Sequence, residues 1–238
     1  MLCEGQDSAL SLSYTYKRVE TIDMKKFKTL LAASVAAASM TMIAAPASAE
    51  VSASVSVANM YLWRGFDLSN GSPAVSGDLT LSGGGFYAGV WGSSGDDALG
   101  QEVDYYAGYA TEVGPLSVDL SVWNYVYPGA GSTGDNGDDV GDLSEIILGL
   151  GMGPVSLTIY DNIAGANGYF YGTLGLDVGS FSFAVGGTDS NDVDSNYAHF
   201  DASYAYNDKV SFTFSKMIDE DNDDDLKFVV SYSLPIDM

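Results

Sequence analysis

Apolar and polar residues alternate with a period of two along most of the chain beyond residue 50. In the stretch 116–122, leucine and valine alternate with serine and aspartate, and 226–234 repeats the pattern with larger apolar residues. Successive side chains of a β-strand point to opposite faces, so this period gives each strand one apolar and one polar face. No apolar run of about 18 residues, the length that suits a transmembrane helix, occurs in the same region. The chain is therefore predicted to be all-β.

The length and spacing of the alternating runs predict a transmembrane barrel. Most runs span 8–12 residues, close to the roughly 9–11 that cross a bilayer at a tilt. Short connections such as 83–84 and 114–115 alternate with longer polar ones such as 128–142 and 218–225. Short turns at one end, long loops at the other and an even strand number are typical of an antiparallel outer-membrane β-barrel rather than of a soluble sandwich. About twelve strands are predicted, at 51–63, 74–82, 85–93, 102–112, 116–127, 143–152, 155–163, 168–178, 181–188, 196–207, 210–217 and 226–234.

Residues 24–49 are predicted to be a cleavable signal peptide. They consist of a basic start, an apolar, alanine-rich middle and an Ala-x-Ala end, in the order that secretory signals have. Cleavage is expected between Ala49 and Glu50, which leaves 50–238 as the barrel; an uncleaved membrane anchor is the alternative interpretation. Residues 1–23 lie ahead of the signal peptide. We interpret them either as the result of a start codon assigned too far upstream, with Met24 as the true initiator, or as a disordered extension.

Composition excludes several classes of function. After residue 49, 28 acidic residues stand against four basic ones, so no basic surface can neutralise phosphates and nucleic-acid binding is excluded. The only cysteine is Cys3 and the only histidine is His199, which argues against cysteine-based zinc sites and histidine clusters. The acidic runs 135–139 and 219–225 carry oxygen ligands without the spacing of an EF-hand, and we interpret them as solvated loops. Neither a metal nor a cofactor is expected.

Aromatic residues concentrate toward the predicted strand ends. We interpret them as girdles at the two membrane interfaces, where a ring with an apolar body and a polar tip is favoured; core positions are the alternative. The residues concerned are Tyr61, Trp63, Trp123, Tyr125, Tyr127, Tyr169, Tyr171, Tyr204 and Tyr206.

Five short motifs rich in aromatic residues and glycine lie in the first half of the predicted barrel. They are Tyr-Leu-Trp-Arg-Gly-Phe at 61–66, Pro-Ala-Val-Ser-Gly at 73–77, Gly-Phe-Tyr-Ala-Gly-Val-Trp-Gly-Ser at 85–93, Glu-Val-Asp-Tyr-Tyr-Ala-Gly-Tyr at 102–109 and Tyr-Val-Tyr-Pro-Gly at 125–129. This set resembles the TorF family of proposed porins, which are outer-membrane proteins of proteobacteria. The resemblance implies a barrel with a signal peptide and a pore role, and it supplies no catalytic residue.

The charged residues of the strands are predicted to line the lumen. With the apolar face of each strand toward lipid, the intervening residues turn inward, because a charge on the lipid face at mid-depth costs about 2–4 kcal/mol. Carboxylates dominate the set, and an acidic lining favours cations; hydrogen bonding across a plugged interior is the alternative. The predicted lumen or mouth residues are Arg64, Asp78, Glu102, Asp104, Asp119, Glu145, Asp161, Asp177, His199 and Asp201.

These patterns predict a porin-like passive channel for small hydrophilic solutes, with a cation preference, in the outer membrane of a Gram-negative bacterium. Its expected partners are outer-membrane lipid and lipopolysaccharide, the barrel-assembly machinery, and small solutes or cations. One alternative is a non-conducting structural or adhesive barrel that depends on loop 128–142. The other, a lipid-modifying enzyme, is not expected, because only His199 could act as a base and Asp201 lies about 7 Å away in height along the strand.

Overall fold

The computed structural model describes residues 50–129, 137–165, 168–190, 196–218 and 225–236. The predicted signal peptide and the segment before it lie outside these ranges. No helix within them is long and apolar enough to cross a membrane. The strands of the described ranges are β1 (Glu50–Ala58), β2 (Leu62–Trp63), β3 (Phe66–Asp67), β4 (Ala74–Gly83), β5 (Phe86–Asp96), β6 (Gly100–Val113), β7 (Leu116–Val126), β8 (Leu143–Met152), β9 (Val155–Ala164), β10 (Phe170–Val178), β11 (Phe181–Asp189), β12 (Ala198–Ala205), β13 (Val210–Met217) and β14 (Lys227–Ile236).

Twelve of these strands form one closed barrel. From β4 to β14 each strand pairs antiparallel with the next one along the chain, and β1 pairs with both β4 and β14. The closing seam places Val57 beside Tyr232, while the other edge of β1 places Val57 beside Val75. A closed sheet pairs its backbone groups between strands and leaves no open edge, as a lipid environment requires. The predicted twelve-stranded antiparallel barrel is confirmed.

The outer face of the barrel is apolar. Every second residue of a strand shares one face, and we call each of these two alternating sets a phase of the strand. Large side chains in one phase are exposed, as in β4 and β5, where Leu79, Leu81 and Val90 are 47%, 55% and 39% exposed. Residues in the other phase, such as Asp78 and Thr80, turn inward and hydrogen-bond Ser54 or Tyr106. Monomers in water rarely expose a contiguous apolar belt around the whole molecule, whereas a barrel in lipid needs one.

The two ends of the barrel differ in their connections. At one end tight turns join β4–β5, β6–β7, β8–β9, β10–β11 and β12–β13. Glycine supplies the left-handed conformation that such turns need, as at Gly114 and Gly179, both with φ 62°. The other end carries the longer β1–β4, β7–β8 and β11–β12 connections. The predicted segregation of short and long connections holds, apart from the three-residue β5–β6 turn at 97–99.

The first strand is shorter than the predicted 51–63, because β1 ends at Ala58. The amide of Asn59 still donates to the carbonyl of Val230 at 3.3 Å, and its side chain adds two hydrogen bonds to β14: Nδ2 donates to the carbonyl of Phe228 at 3.0 Å, and Oδ1 accepts from the amide of Val230 at 2.6 Å. The chain then leaves the barrel wall. The predicted strand extended to residue 63 because residues 60–63 are large and apolar or aromatic, but Leu62–Trp63 form the separate strand β2, and local sequence does not show which sheet a strand joins.

Candidate functional site in the barrel lumen

Strands β2 and β3 form a hairpin at the long-loop end of the barrel. Trp63 pairs with Phe66, so the loop between the strands consists of Arg64 and Gly65. Both have positive φ, 47° and 89°, as a type I′ turn requires. This conformation is uncommon for a residue other than glycine, so Arg64 needs support from its surroundings. We call residues 61–68 the lumen hairpin.

The tip of the lumen hairpin touches the inner wall of the barrel. A Cβ on Gly65 would lie 2.8 Å from Cγ of His199 on β12 and 3.1 Å from Cε of Met217 on β13. Both neighbours are only 1% exposed. Next to this glycine, Arg64 reaches Glu145 on β8, which lies five strands from β13 in the ring. The hairpin therefore bridges distant parts of the wall and crosses the lumen.

Arg64 forms a buried ion pair with Glu145. Nη1 donates to Oε1 at 3.0 Å and Nη2 donates to Oε2 at 2.6 Å, and the side chains are 7% and 5% exposed. Tyr125 donates another hydrogen bond to Oε2 at 2.7 Å. Burial alone would lower the pKa of Arg64, but the hydrogen bonds and the charge of Glu145 outweigh it and raise the pKa above its usual value. The guanidinium therefore stays charged, and Glu145 neutralises it.

Aromatic rings enclose the same guanidinium. Its Cζ lies 4.5 Å from the ring centroids of Trp63 and Tyr160, 4.6 Å from that of Tyr171 and 5.5 Å from that of Tyr169. Within about 6 Å the negative face of a ring attracts a cation. The ion pair and the rings together hold Arg64 in its unusual backbone conformation.

The base of the lumen hairpin is anchored by a second carboxylate, Glu102 of β6. Tyr61 donates to its Oε2 at 2.6 Å and Tyr127 donates to its Oε1 at 3.0 Å. Burial and the neighbouring charge of Glu102 raise the pKa of both tyrosines well above its ordinary value. Both hydroxyls therefore remain protonated donors, and Glu102, 2% exposed, is satisfied at both oxygens.

His199 is held by two partners inside the lumen. Its Nε2 lies 2.8 Å from the hydroxyl of Tyr171, and its Nδ1 lies 3.1 Å from Oδ1 of Asp201. The expectation that the spacing of His199 and Asp201 along the strand prevents their pairing is wrong, because the two side chains lie on the same face of β12 and come within hydrogen-bonding distance. Gly186 on β11 leaves room for this arrangement, since a Cβ there would clash with His199 and Tyr171. Both ring nitrogens are engaged, so the imidazole holds no serine or threonine hydroxyl within the described residues.

A cavity of about 420 Å³ lies beside Arg64. A second, of about 470 Å³, lies toward the short-turn end and is lined by small residues such as Gly149 and Gly151. Asp119 lines both cavities, and the Tyr87 hydroxyl donates one bifurcated hydrogen bond to its two carboxylate oxygens, at 2.8 and 2.9 Å. The residues that line the first cavity are Trp63, Arg64, Tyr87, Trp91, Asp104, Asp119, Ser121, Trp123, Tyr125, Ile147 and Tyr160.

Nine of the ten predicted lumen residues lie on the inner face or at its mouth. Arg64 and Glu145 meet each other, as do His199 and Asp201, while Asp177 is exposed at the short-turn mouth. The other four inward residues are Asp78, Glu102, Asp104 and Asp119.

The prediction that Asp161 faces the lumen is wrong. It pairs with Ile146 and Phe170 in the ladders, in the outward phase of β9. Tyr160, which contacts Arg64, takes the inward position beside it. Asp161 lies near the long-loop end of β9, where a charge on the outer face costs little because headgroups and water are close.

Most of the aromatic residues predicted as girdles instead face the interior. Only Tyr204 and Tyr206 are on the outside, 38% and 65% exposed. Aromatic enrichment near strand ends does not reveal which face a ring takes; the phase of the strand does. The seven interior residues contact Glu102, Arg64 or His199 or line the cavity: Tyr61, Trp63, Trp123, Tyr125, Tyr127, Tyr169 and Tyr171.

Sequence reasoning missed several lumen residues. Tyr87, Trp91 and Tyr160 line the cavity, and Lys227 is 6% exposed on the inward phase of β14. Strand phase was the available signal, because each of these residues shares its phase with a polar inward neighbour. Tyr87, Trp91 and Tyr160 were missed because the prediction of lumen residues considered charged side chains and not aromatic ones.

One acidic loop brings carboxylates together outside the lumen. Oxygens of Asp138, Asp139 and Asp142 lie within 4.8 Å of one another, and Asp139 is exposed. Residues 135–136 of this run and 219–224 of the other lie outside the described ranges. A solvated acidic loop accounts for the arrangement.

A family model matches residues 43–210, which include β1 to β12 and the whole of the lumen hairpin. The chain belongs to the Gcw_chp family. The family is described as bacterial proteins of unknown function. Since the Gcw_chp description names no porin, the resemblance to the TorF family is not confirmed. No curated protein matches the chain.

Among solved structures, the outer membrane phospholipase A from Escherichia coli is similar to this Gcw_chp chain with 12% sequence identity and a TM-score of 0.42. The match covers 76% of this chain and 88% of the phospholipase. A similarity of this degree carries no information about activity.

Proposed function

We propose that this protein is a narrow, passive, cation-preferring channel in the outer membrane of a Gram-negative bacterium. The apolar belt on a closed barrel supports a place in a membrane, and the division into short turns and long loops is typical of outer-membrane barrels. Outer-membrane lipid, lipopolysaccharide and the barrel-assembly machinery are its proposed partners.

The observation that carries the channel proposal is the charge of the inner face. Among the described residues, eight carboxyl groups lie on it or at its mouths, at Asp78, Glu102, Asp104, Glu112, Asp119, Glu145, Asp177 and Asp201, against the two basic side chains of Arg64 and Lys227. Such a lining attracts cations and repels anions. The lumen hairpin narrows the passage, so the proposed solutes are small.

Single-channel recording tests this proposal. The purified full chain would be inserted into a planar bilayer under a KCl gradient, and we expect discrete current steps whose reversal potential has the sign of cation selectivity. Anion selectivity would contradict the role of the carboxylates. A folded, inserted barrel without any current steps would instead support the structural or adhesive alternative, in which the lumen hairpin acts as a permanent plug.

We also propose that the protein is not an enzyme. His199 is the only histidine, and its two nitrogens are bound to Tyr171 and Asp201 inside the barrel, away from the lipid that a phospholipase or acyltransferase would act on. Phospholipid hydrolysis by the purified chain, abolished by His199→Ala, would overturn this part of the proposal.

A further inference from the structure

The cavity beside Arg64 has an unusual lining. Besides Trp63 and Tyr160, four further aromatic residues line the cavity: Tyr87, Trp91, Trp123 and Tyr125. Trp123 is kept in place by stacking on Tyr106, with ring centroids 4.4 Å apart and planes inclined by 14°. The volume of the cavity, about 420 Å³, is within the range of ordinary ligand sites.

Two carboxyl groups, those of Asp104 and Asp119, face this cavity. Asp104 is 2% exposed, and its Oδ1 has no hydrogen-bond partner within the described residues. A buried polar atom without a partner is costly, so this oxygen is poised for a ligand. Asp119 presents a second carboxylate, which Tyr87 holds in place. The positive charge of Arg64 does not offset them, because Glu145 already neutralises it.

The protein's own side chain shows what such walls accept. Arg64 sits among four rings at 4.5–5.5 Å, and two of those rings, Trp63 and Tyr160, also line the cavity. Aromatic faces attract cations that have weak hydration shells, such as methylated ammonium ions. They cannot replace the oxygen ligands that Ca²⁺ and Mg²⁺ require.

We propose that this cavity binds a small organic ammonium ion, with its charge toward Asp104 and Asp119 and its alkyl groups against Trp91 and Trp123. As a statement about the solute that crosses the membrane, this rests on the proposed channel function. Binding of the ammonium ion does not itself require conduction, so the binding site and the channel function are tested separately.

The tryptophans make the site directly observable. The chain has three, and all of them, Trp63, Trp91 and Trp123, line this cavity. We would titrate the purified full chain with choline and follow tryptophan fluorescence, in a detergent with a sugar headgroup because phosphocholine detergents carry the same group as the probe. KCl at equal ionic strength and the uncharged choline isostere 3,3-dimethylbutan-1-ol serve as control ligands.

Choline is expected to give a saturable change in fluorescence that neither control ligand reproduces. Asp104→Asn should weaken its binding by about tenfold, the factor that corresponds to the loss of one ion pair of moderate strength. Asp161→Asn is the matched control, since it makes the same change on the outer face, and it should leave the affinity unchanged. If Asp104→Asn does not fold, Asp119→Asn takes its place.

An equal response to the uncharged isostere, a response to choline that does not saturate, or full affinity in the folded Asp104 and Asp119 variants would each overturn the assignment. Saturable choline binding by a barrel that gives no current steps would support the site and contradict the channel. Cation-selective current without choline binding would support the channel and contradict the site.

Discussion

At the scale of single residues, the lumen hairpin depends on two neighbours that share an unusual backbone conformation. Gly65 has a positive φ, and its missing side chain lets the turn approach His199 and Met217. Arg64 has a positive φ without being glycine, and its ion pair with Glu145 and its aromatic neighbours stabilise it there. The tip of the hairpin is therefore determined by contacts with the wall as much as by its own sequence.

Gly65→Ala is expected to displace the hairpin tip. Gly71→Ala is a matched control, because Gly71 also has a positive φ, 75°, but a Cβ there would have no atom within 4 Å. Both variants carry the strain of a left-handed alanine, about 1–2 kcal/mol, and only Gly65→Ala adds the clash with His199. Urea unfolding in detergent should show a larger loss of stability for Gly65→Ala; equal losses would show that the tip is not packed against β12.

Glu145→Gln is expected to destabilise the protein by about 3–5 kcal/mol, because it leaves the charge of Arg64 buried without its partner. The double variant Arg64→Met, Glu145→Gln removes both charges and should recover much of that loss. Midpoints of urea unfolding for the two variants and the unaltered chain provide the measurement. A double variant no more stable than Glu145→Gln would show that the hairpin needs the guanidinium for more than its ion pair.

At the scale of elements, the lumen hairpin is a short insertion that changes the character of the barrel. A twelve-stranded barrel lies between the small barrels that side chains fill and the large ones that are open channels. Here the β2–β3 segment occupies part of that space, anchored through Tyr61 at its base and Arg64 at its tip. Two cavities that share Asp119 as a lining residue lie within the lumen.

Replacing the lumen hairpin, 61–68, by a short Gly-Ser linker is expected to increase single-channel conductance, because the constriction at Arg64 disappears while the twelve wall strands remain paired. Replacement of loop residues 138–141 by a short Gly-Ser linker is the control and should leave the conductance near its original value. Unchanged conductance after removal of the hairpin would place the narrowest point elsewhere in the lumen.

At the scale of the whole molecule, the apolar belt on the outer face determines how the barrel sits in lipid. Leu79 lies near the middle of β4 and Val75 near its long-loop end, and both side chains are exposed, 47% and 50%. The strand therefore provides two equivalent outward positions at different depths.

Leu79→Arg is expected to lower the free energy of unfolding in lipid vesicles by about 2–4 kcal/mol, and Val75→Arg by only about 0–1 kcal/mol, because a charge is costly at mid-depth and tolerated near the headgroups. Unfolding by guanidinium, followed by tryptophan fluorescence, measures both variants. Equal costs at the two positions would contradict a membrane orientation in which β4 crosses the bilayer from end to end.

The period of two and the lengths of the alternating runs determined the barrel, its strand number and the inward face of most charged residues. These properties follow from local geometry, since side chains of a strand alternate whatever the strand pairs with. Strand phase also explains the two wrong predictions. Asp161 was predicted to face inward but shares the phase of its apolar neighbours, and most tyrosines predicted at the membrane interfaces share the inward phase of the carboxylates.

Only the tertiary structure decided where the chain leaves the wall and what fills the lumen. Leu62 and Trp63 lie within the stretch predicted as the first strand, but they pair with Asp67 and Phe66 instead of a barrel strand. The contacts of Arg64 with Glu145 join residues 81 positions apart. No local pattern encodes such a contact, because it depends on the closed ring that brings β8, β12 and β13 around the hairpin.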